Sequence, residues 1–142
     1  MIRWRRAIAA AIMLAASACH ARAQEPGAAP RQEPLAGSRD RPGLFTQRLT
    51  LPARSCGPVH THNSDLHGLV LRGTLLFGIA DSAGRIEVRP YPAGSFVPVA
   101  AGEPHVEGSG GETEIHLSGI GPLETRVLEP ADPSRCEAAV GR

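Results

Sequence analysis

The sequence predicts an all-β domain, a sandwich or barrel of short antiparallel strands. From Phe45 onward, short apolar runs are separated by glycine and proline, and no run of ten or more residues carries helical periodicity. Thirteen prolines and sixteen glycines oppose long helices and favour frequent turns. A chain of 142 residues has room for one domain, and no internal repeat divides it.

The chain opens with Arg3, Arg5 and Arg6, followed by an uncharged apolar run from Ala7 to Ala18. Basic start and apolar run together form a signal peptide pattern, and the run is shorter than the roughly 20 residues a membrane-spanning helix needs. Ala21-Arg22-Ala23 offers a small-x-small cleavage site before Gln24, which predicts a periplasmic or secreted protein. A second reading takes Ala16-Ser17-Ala18-Cys19 as a loose lipoprotein box with Cys19 lipidated. Both place the folded part outside the cytoplasm.

Loss of residues 1–23 leaves eleven arginines against fourteen acids, a formal charge of −3, with no lysine anywhere. No basic stripe is interleaved with aromatics, so nucleic acid is not an expected partner. Residues 24–43 are mainly Pro, Gly, Ala, Gln, Glu and Arg. So little apolar surface cannot offset the entropy of ordering, and the stretch is expected to be a flexible leader.

Predicted strands follow at Phe45 to Leu51, His67 to Ala80, Arg85 to Tyr91, Ser95 to Ala100, Thr113 to Leu117 and Leu123 to Leu128. Asp81-Ser82-Ala83-Gly84 and Gly108-Ser109-Gly110-Gly111 are polar connections of the kind that join antiparallel neighbours. Within the longest run Leu69, Leu71, Leu75, Phe77 and Ile79 share one parity, so the odd-numbered row is expected to face inward. His67 belongs to that row.

Chemistry concentrates in Cys56-Gly57-Pro58-Val59-His60-Thr61-His62-Asn63-Ser64-Asp65-Leu66-His67, which holds three of the six histidines. On an extended strand His60 and His62 project from the same face, free to converge on one ion. Neutral imidazole suits iron, manganese, zinc, nickel or copper, and two histidines alone do not select among them. Cys56 and Cys136 are the only cysteines after the expected cleavage, and an oxidising compartment favours their pairing. Two free thiols, or Cys56 as a metal ligand, are the other readings.

A second segment reads Gly94-Ser95-Phe96-Val97-Pro98-Val99-Ala100-Ala101-Gly102-Glu103-Pro104-His105. Together the two segments resemble the paired motifs of the cupin superfamily. His60 and His62 match the His-x-His of the first motif and Gly73 its closing glycine. Gly94, Gly102 and His105 fall at the spacing of the second, with Ala100 in place of proline and Ser109 in place of asparagine. The likeness covers about residues 45–128. The first motif departs in two ways: its leading glycine is displaced, with Arg54 at that place and Gly57 nearer, and its glutamate is absent. Its place falls on Leu66, which keeps the spacing to Gly73, or on His67.

The resemblance implies a single cupin-type double-stranded β-helix, or jelly-roll barrel, over residues 44–130, with a tail over 131–142. It implies one divalent transition metal on His60, His62 and His105, and strand parity adds His67 as a fourth ligand or as a hydrogen-bonded core histidine. A site of three neutral histidines leaves the ion its full charge and open positions, which favours anionic oxygen ligands. Histidine-only iron sites occur among cupins resembling thiol dioxygenases. Two function classes follow: a metal-dependent dioxygenase, isomerase or decarboxylase acting on a small polar or anionic molecule, or a noncatalytic metal or small-ligand binder. A third is a degenerate barrel without metal. The fold does not choose among them. Cupins often dimerise, so a homodimer is an expectation as well.

Asp65 and Glu103 flank the motif histidines and are candidates for general acid or base, although loop acids are usually solvated. Glu107 shares the face of His105 and is expected as a hydrogen-bond acceptor beside the ligands. His116 is a candidate cavity residue or a structural strand histidine, and Arg72 is a candidate for binding a substrate carboxylate whose parity points outward. The closing Gly119-Ile120-Gly121-Pro122 resembles the last turn of small exported cupins and carries no chemistry itself. No nucleophile motif or phosphate-cradling loop accompanies Ser95, Ser109 or Ser118.

Overall fold

The computed structural model describes residues 29–140, so the expected signal peptide and Cys19 lie outside the described residues. Its strands are β1 (Arg31–Ala36), β2 (Gly43–Leu51), β3 (Ser55–Cys56), β4 (Val59–His62), β5 (Leu66–Arg72) and β6 (Thr74–Ile79). They continue with β7 (Arg89–Pro92), β8 (Phe96–Val99), β9 (His105–Ser109), β10 (Thr113–Gly121) and β11 (Thr125–Glu129), and a short helix α1 (Pro133–Glu137) closes the series. Two antiparallel sheets result, ordered β1-β2-β10-β5-β8 and β11-β4-β9-β6-β7, with β3 also pairing β9. The fold is the all-β jelly roll that the sequence predicts. Among the described residues no helix is long and apolar enough to cross a membrane.

The predicted strand from His67 to Ala80 is two strands in different sheets. Gly73, at φ 78°, carries the chain across, and a Cβ there would meet the Glu112 carbonyl oxygen at 2.5 Å. Crossing resets the alternation. On β5 the inward residues are Leu66, Gly68 and Val70, whereas on β6 they are Leu75 and Phe77. The inward odd row therefore holds only after Gly73, and His67, Leu69 and Leu71 are exposed.

The expected leader also needs correction, because residues 31–36 form β1. This strand is exposed along its whole length and pairs with β2 from Arg31↔Thr50 to Ala36↔Thr46. It is held by a backbone ladder rather than by burial, and Pro34 is tolerated because β1 is an edge strand. Arg48 adds an ion pair to Glu33 at 3.4 Å.

Between the sheets lies an apolar core built on Phe45, Leu51, Val70, Leu75, Val97 and Ile115. A second cluster covers the outer face of the other sheet, where Val59, Leu76, Val88 and Val106 pack against Cys136 and Ala139. Cys56 and Cys136 form a disulfide, with Cα atoms 5.8 Å apart, that fastens the C-terminal segment over this face. Asp132 caps α1 by accepting from the Ser134 N–H at 3.1 Å.

Candidate metal centre

On β4, Val59 and Thr61 face outward, which turns His60 and His62 toward the barrel interior. The neighbouring β9 sets His105 directly across from His60 as its Cα partner. Register alone therefore gathers three imidazoles on one inner face. Ring centroids lie 4.9 Å apart for His60 and His62, 4.3 Å for His60 and His105, and 5.2 Å for His62 and His105. One ring nitrogen from each comes within 4.8 Å of the others, so the group can hold a metal ion.

Backbone carbonyls fix two of the tautomers. His60 Nδ1–H donates to the Pro58 carbonyl at 2.9 Å, and His105 Nδ1–H donates to the Glu103 carbonyl at 2.8 Å. A carbonyl oxygen only accepts, so each Nδ1 must carry a proton, and in the neutral ring Nε2 then presents a lone pair. His62 Nδ1 lies 3.1 Å from the Thr125 hydroxyl on β11. Asn63 secures this end of β4: its side-chain amide donates to the Pro122 carbonyl at 3.1 Å and accepts from the Glu124 N–H at 2.8 Å.

Burial disfavours charge on His62 and His105. His105 is lowered to about 4, first by desolvation and then by His60, against the opposing bond to the Glu103 carbonyl. His62 is likewise lowered to about 4 by desolvation, then by the neighbouring His60 and His105, with Arg39 adding to the depression. Near neutral pH both rings are unprotonated, the state a metal ligand requires.

Glu107 is the acid that enters the site. Its Oε2 lies 3.6 Å from His60 Nε2, is buried and has no hydrogen-bond partner. A quarter of the side chain is open at the surface, yet the carboxylate oxygen itself is covered. Burial raises its pKa. Behind the histidines is a small apolar cavity of about 60 Å³ walled by Leu49, Leu66, Phe77, Val99, Ile115 and Leu117. In front is a more polar cleft of about 210 Å³ whose lining includes Gln32, Arg39, Gln47 and Thr125. The two meet at His60, His62 and Glu107.

His67 does not join the group. It is exposed on the outer face of β5, with its ring centroid 5.4 Å from that of Phe96, and the inward position beside it is Leu66. The inward orientation expected for His67 fails because parity was carried through the sheet crossing at Gly73. His116 alternates with the buried Thr113 and Ile115 and lies opposite Leu69, away from the cavity. Asp65 accepts from the Ala101 N–H at 2.7 Å and Glu103 from the Ala100 N–H at 3.2 Å, so both serve the β8–β9 turn. Arg72 points outward, paired with Glu112 and Glu114. Ser109, where the resemblance leads one to expect asparagine, is fully buried and donates to the Pro52 carbonyl at 2.6 Å. Cys56 is committed to its disulfide. Arg39 and Gln32 were missed because they belong to the segment read as a leader, whose composition gives no strand signal.

No protein-family model matches the chain, and no curated protein matches it in sequence. Solved structures do match. A conserved protein of unknown function from Streptococcus pyogenes is 18% identical with a TM-score of 0.53, covering 66% of this chain and 75% of that one. Oxalate decarboxylase from Bacillus subtilis is 20% identical with a TM-score of 0.54, covering 61% of this chain and 24% of its own. Oxalate oxidase in complex with the substrate analogue glycolate is 20% identical with a TM-score of 0.57, covering 70% and 55%. The chain thus spans about a quarter of the decarboxylase and about half of the oxidase. These likenesses establish the cupin jelly-roll fold.

Proposed function

We propose that this is an exported metal-binding cupin whose ion, held by His60, His62 and His105, serves an oxygenase-type reaction on a small carboxylate anion. The observation that carries the reading is the fixed tautomer of His60 and His105, which turns two unprotonated Nε2 atoms toward one another beside His62. Neutral nitrogen donors suit a divalent iron, manganese, zinc, nickel or copper ion. When bound, such an ion supplies Lewis acidity at its open positions.

The chain's own residues provide the rest. Arg39 brings positive charge to the cleft in front of His62, where a carboxylate entering from solvent meets it. Gln32, which accepts from Arg39 at 2.5 Å, holds the guanidinium at the rim. The apolar wall behind the histidines excludes water and limits the guest to a small molecule. Oxalate decarboxylase and oxalate oxidase, by their names, act on a small dicarboxylate within the same fold.

A noncatalytic binder is the second reading, favoured by the engagement of Asp65 and Glu103 in turn hydrogen bonds, which leaves few groups for proton transfer. The metal-loaded protein should be incubated with a panel of small mono- and dicarboxylates, with and without oxygen, while product and bound ligand are measured. Metal-dependent turnover supports the enzyme, whereas saturable binding with no product across the panel overturns it in favour of the binder.

A further inference from the structure

We propose that Glu107 is a metal ligand, so that the carboxylate missing from the first motif is supplied instead by β9, two residues after His105. The inference rests on the metal reading above and changes its donor set from three nitrogens to three nitrogens and one oxygen.

The site holds an excess of acceptors. In its neutral form His60 has its one proton committed to Pro58, so its Nε2 faces Glu107 as a lone pair. Glu107 Oε2 is covered by protein and meets no donor. Two acceptors facing each other in a buried site repel unless a cation or a proton lies between them. Their separation of 3.6 Å is too long for a shared proton, since hydrogen bonds to ring nitrogens close to about 2.7–3.2 Å. It suits two atoms that share an ion: ligands each about 2.1 Å from a metal, at a tetrahedral angle, sit about 3.4 Å apart.

Backbone structure aims the carboxylate. Glu107 shares the inward face of β9 with His105, because residues two apart on a strand point the same way. Its main chain is held from both sides, by Phe77 as its Cα partner on β6 and by Gly57, whose N–H donates to the Glu107 carbonyl at 2.7 Å. Gly57 also leaves room: a Cβ there would stand 3.3 Å from that carbonyl and 3.8 Å from Oε1. Leu66 meanwhile fills the inner position on β5 where the resemblance leads one to expect glutamate. An acid has been lost from one wall, and an unpartnered acid stands on another, 3.6 Å from His60 Nε2 and outside the set of donor atoms that the three histidines bring within 4.8 Å of one another, so ligation requires its side chain to turn further toward His62 and His105.

The test uses metal-free full-length protein titrated with cobalt(II) and with manganese(II), comparing the native chain, Glu107→Gln and Glu107→Asp. Glutamine keeps the shape and removes the charge, and circular dichroism checks that each variant folds. Ligation predicts an affinity about 100-fold weaker for Glu107→Gln, partial recovery in Glu107→Asp, and a changed visible absorption spectrum of bound cobalt as one donor is replaced. Native affinity with an unchanged spectrum overturns the proposal. Weaker binding with an unchanged spectrum also overturns it, because Glu107 then acts by positioning His60. A native chain that takes up neither ion overturns the metal reading itself and this inference with it.

Discussion

His60 and His105 occupy one rung of the ladder between β4 and β9, and each donates its Nδ1–H to the carbonyl two residues before it, Pro58 and Glu103. The same local device, repeated on two strands, brings two unprotonated nitrogens together with ring centroids 4.3 Å apart. Much of the behaviour expected of the molecule follows from that rung.

Acid should destabilise the metal-free protein. His62 and His105 both titrate at about 4 in the folded chain, against 6.5 when unfolded. A depressed pKa means the unfolded state binds protons first, so stability is complete above 6.5 and is lost as pH falls toward 4. Glu107, with its pKa raised by burial, works in the opposite sense as pH rises through its folded value. Thermal melts of metal-free protein should show a falling Tm between pH 6.5 and 4, with the slope reduced in His105→Ala. A flat Tm across that interval refutes the account of the buried rings.

The Cys56–Cys136 bridge spans 80 residues and holds the C-terminal segment over Leu76 and Val106. In the chain-entropy model a loop of that length is worth on the order of 4 kcal/mol. Reduction, or Cys56→Ser with Cys136→Ser, should lower the Tm substantially and raise proteolysis of the C-terminal segment. An unchanged Tm would show that the apolar cover alone suffices.

Arg39→Ala should weaken binding of a small carboxylate by about ten-fold while leaving metal content untouched, since Arg39 lines the cleft and does not belong to the histidine group. Calorimetric titration of the metal-loaded protein with glycolate and with oxalate measures both arms. Equal affinities would remove the anion site from the cleft.

His67→Ala should change neither metal content nor stability by more than about 0.5 kcal/mol, because the ring is exposed on the outer face of β5. A loss of metal in this variant would place His67 back in the site.

The fold and most of the site were legible because both rest on strand alternation. His-x-His puts two rings on one face, and His105-Val106-Glu107 repeats the arrangement with a carboxylate as its second member. Alternation misled at His67, since parity persists only along one strand and the chain changes sheets at Gly73. β1 left no trace in composition because an exposed edge strand is held by backbone hydrogen bonds, which every residue except proline supplies alike. Leu76 and Val106 have outward parity yet are buried, because the C-terminal segment covers them, and no local pattern announces a covering that arrives sixty residues later for Leu76.

Metal content of the chain purified without a polyhistidine tag tests the central claim most directly. The native protein should carry about one divalent transition-metal ion per chain, and the His60→Ala, His105→Ala double variant close to none, with both proteins folded by circular dichroism. Equal metal content in the two proteins, or none in the native chain after exposure to each candidate ion, would contradict it.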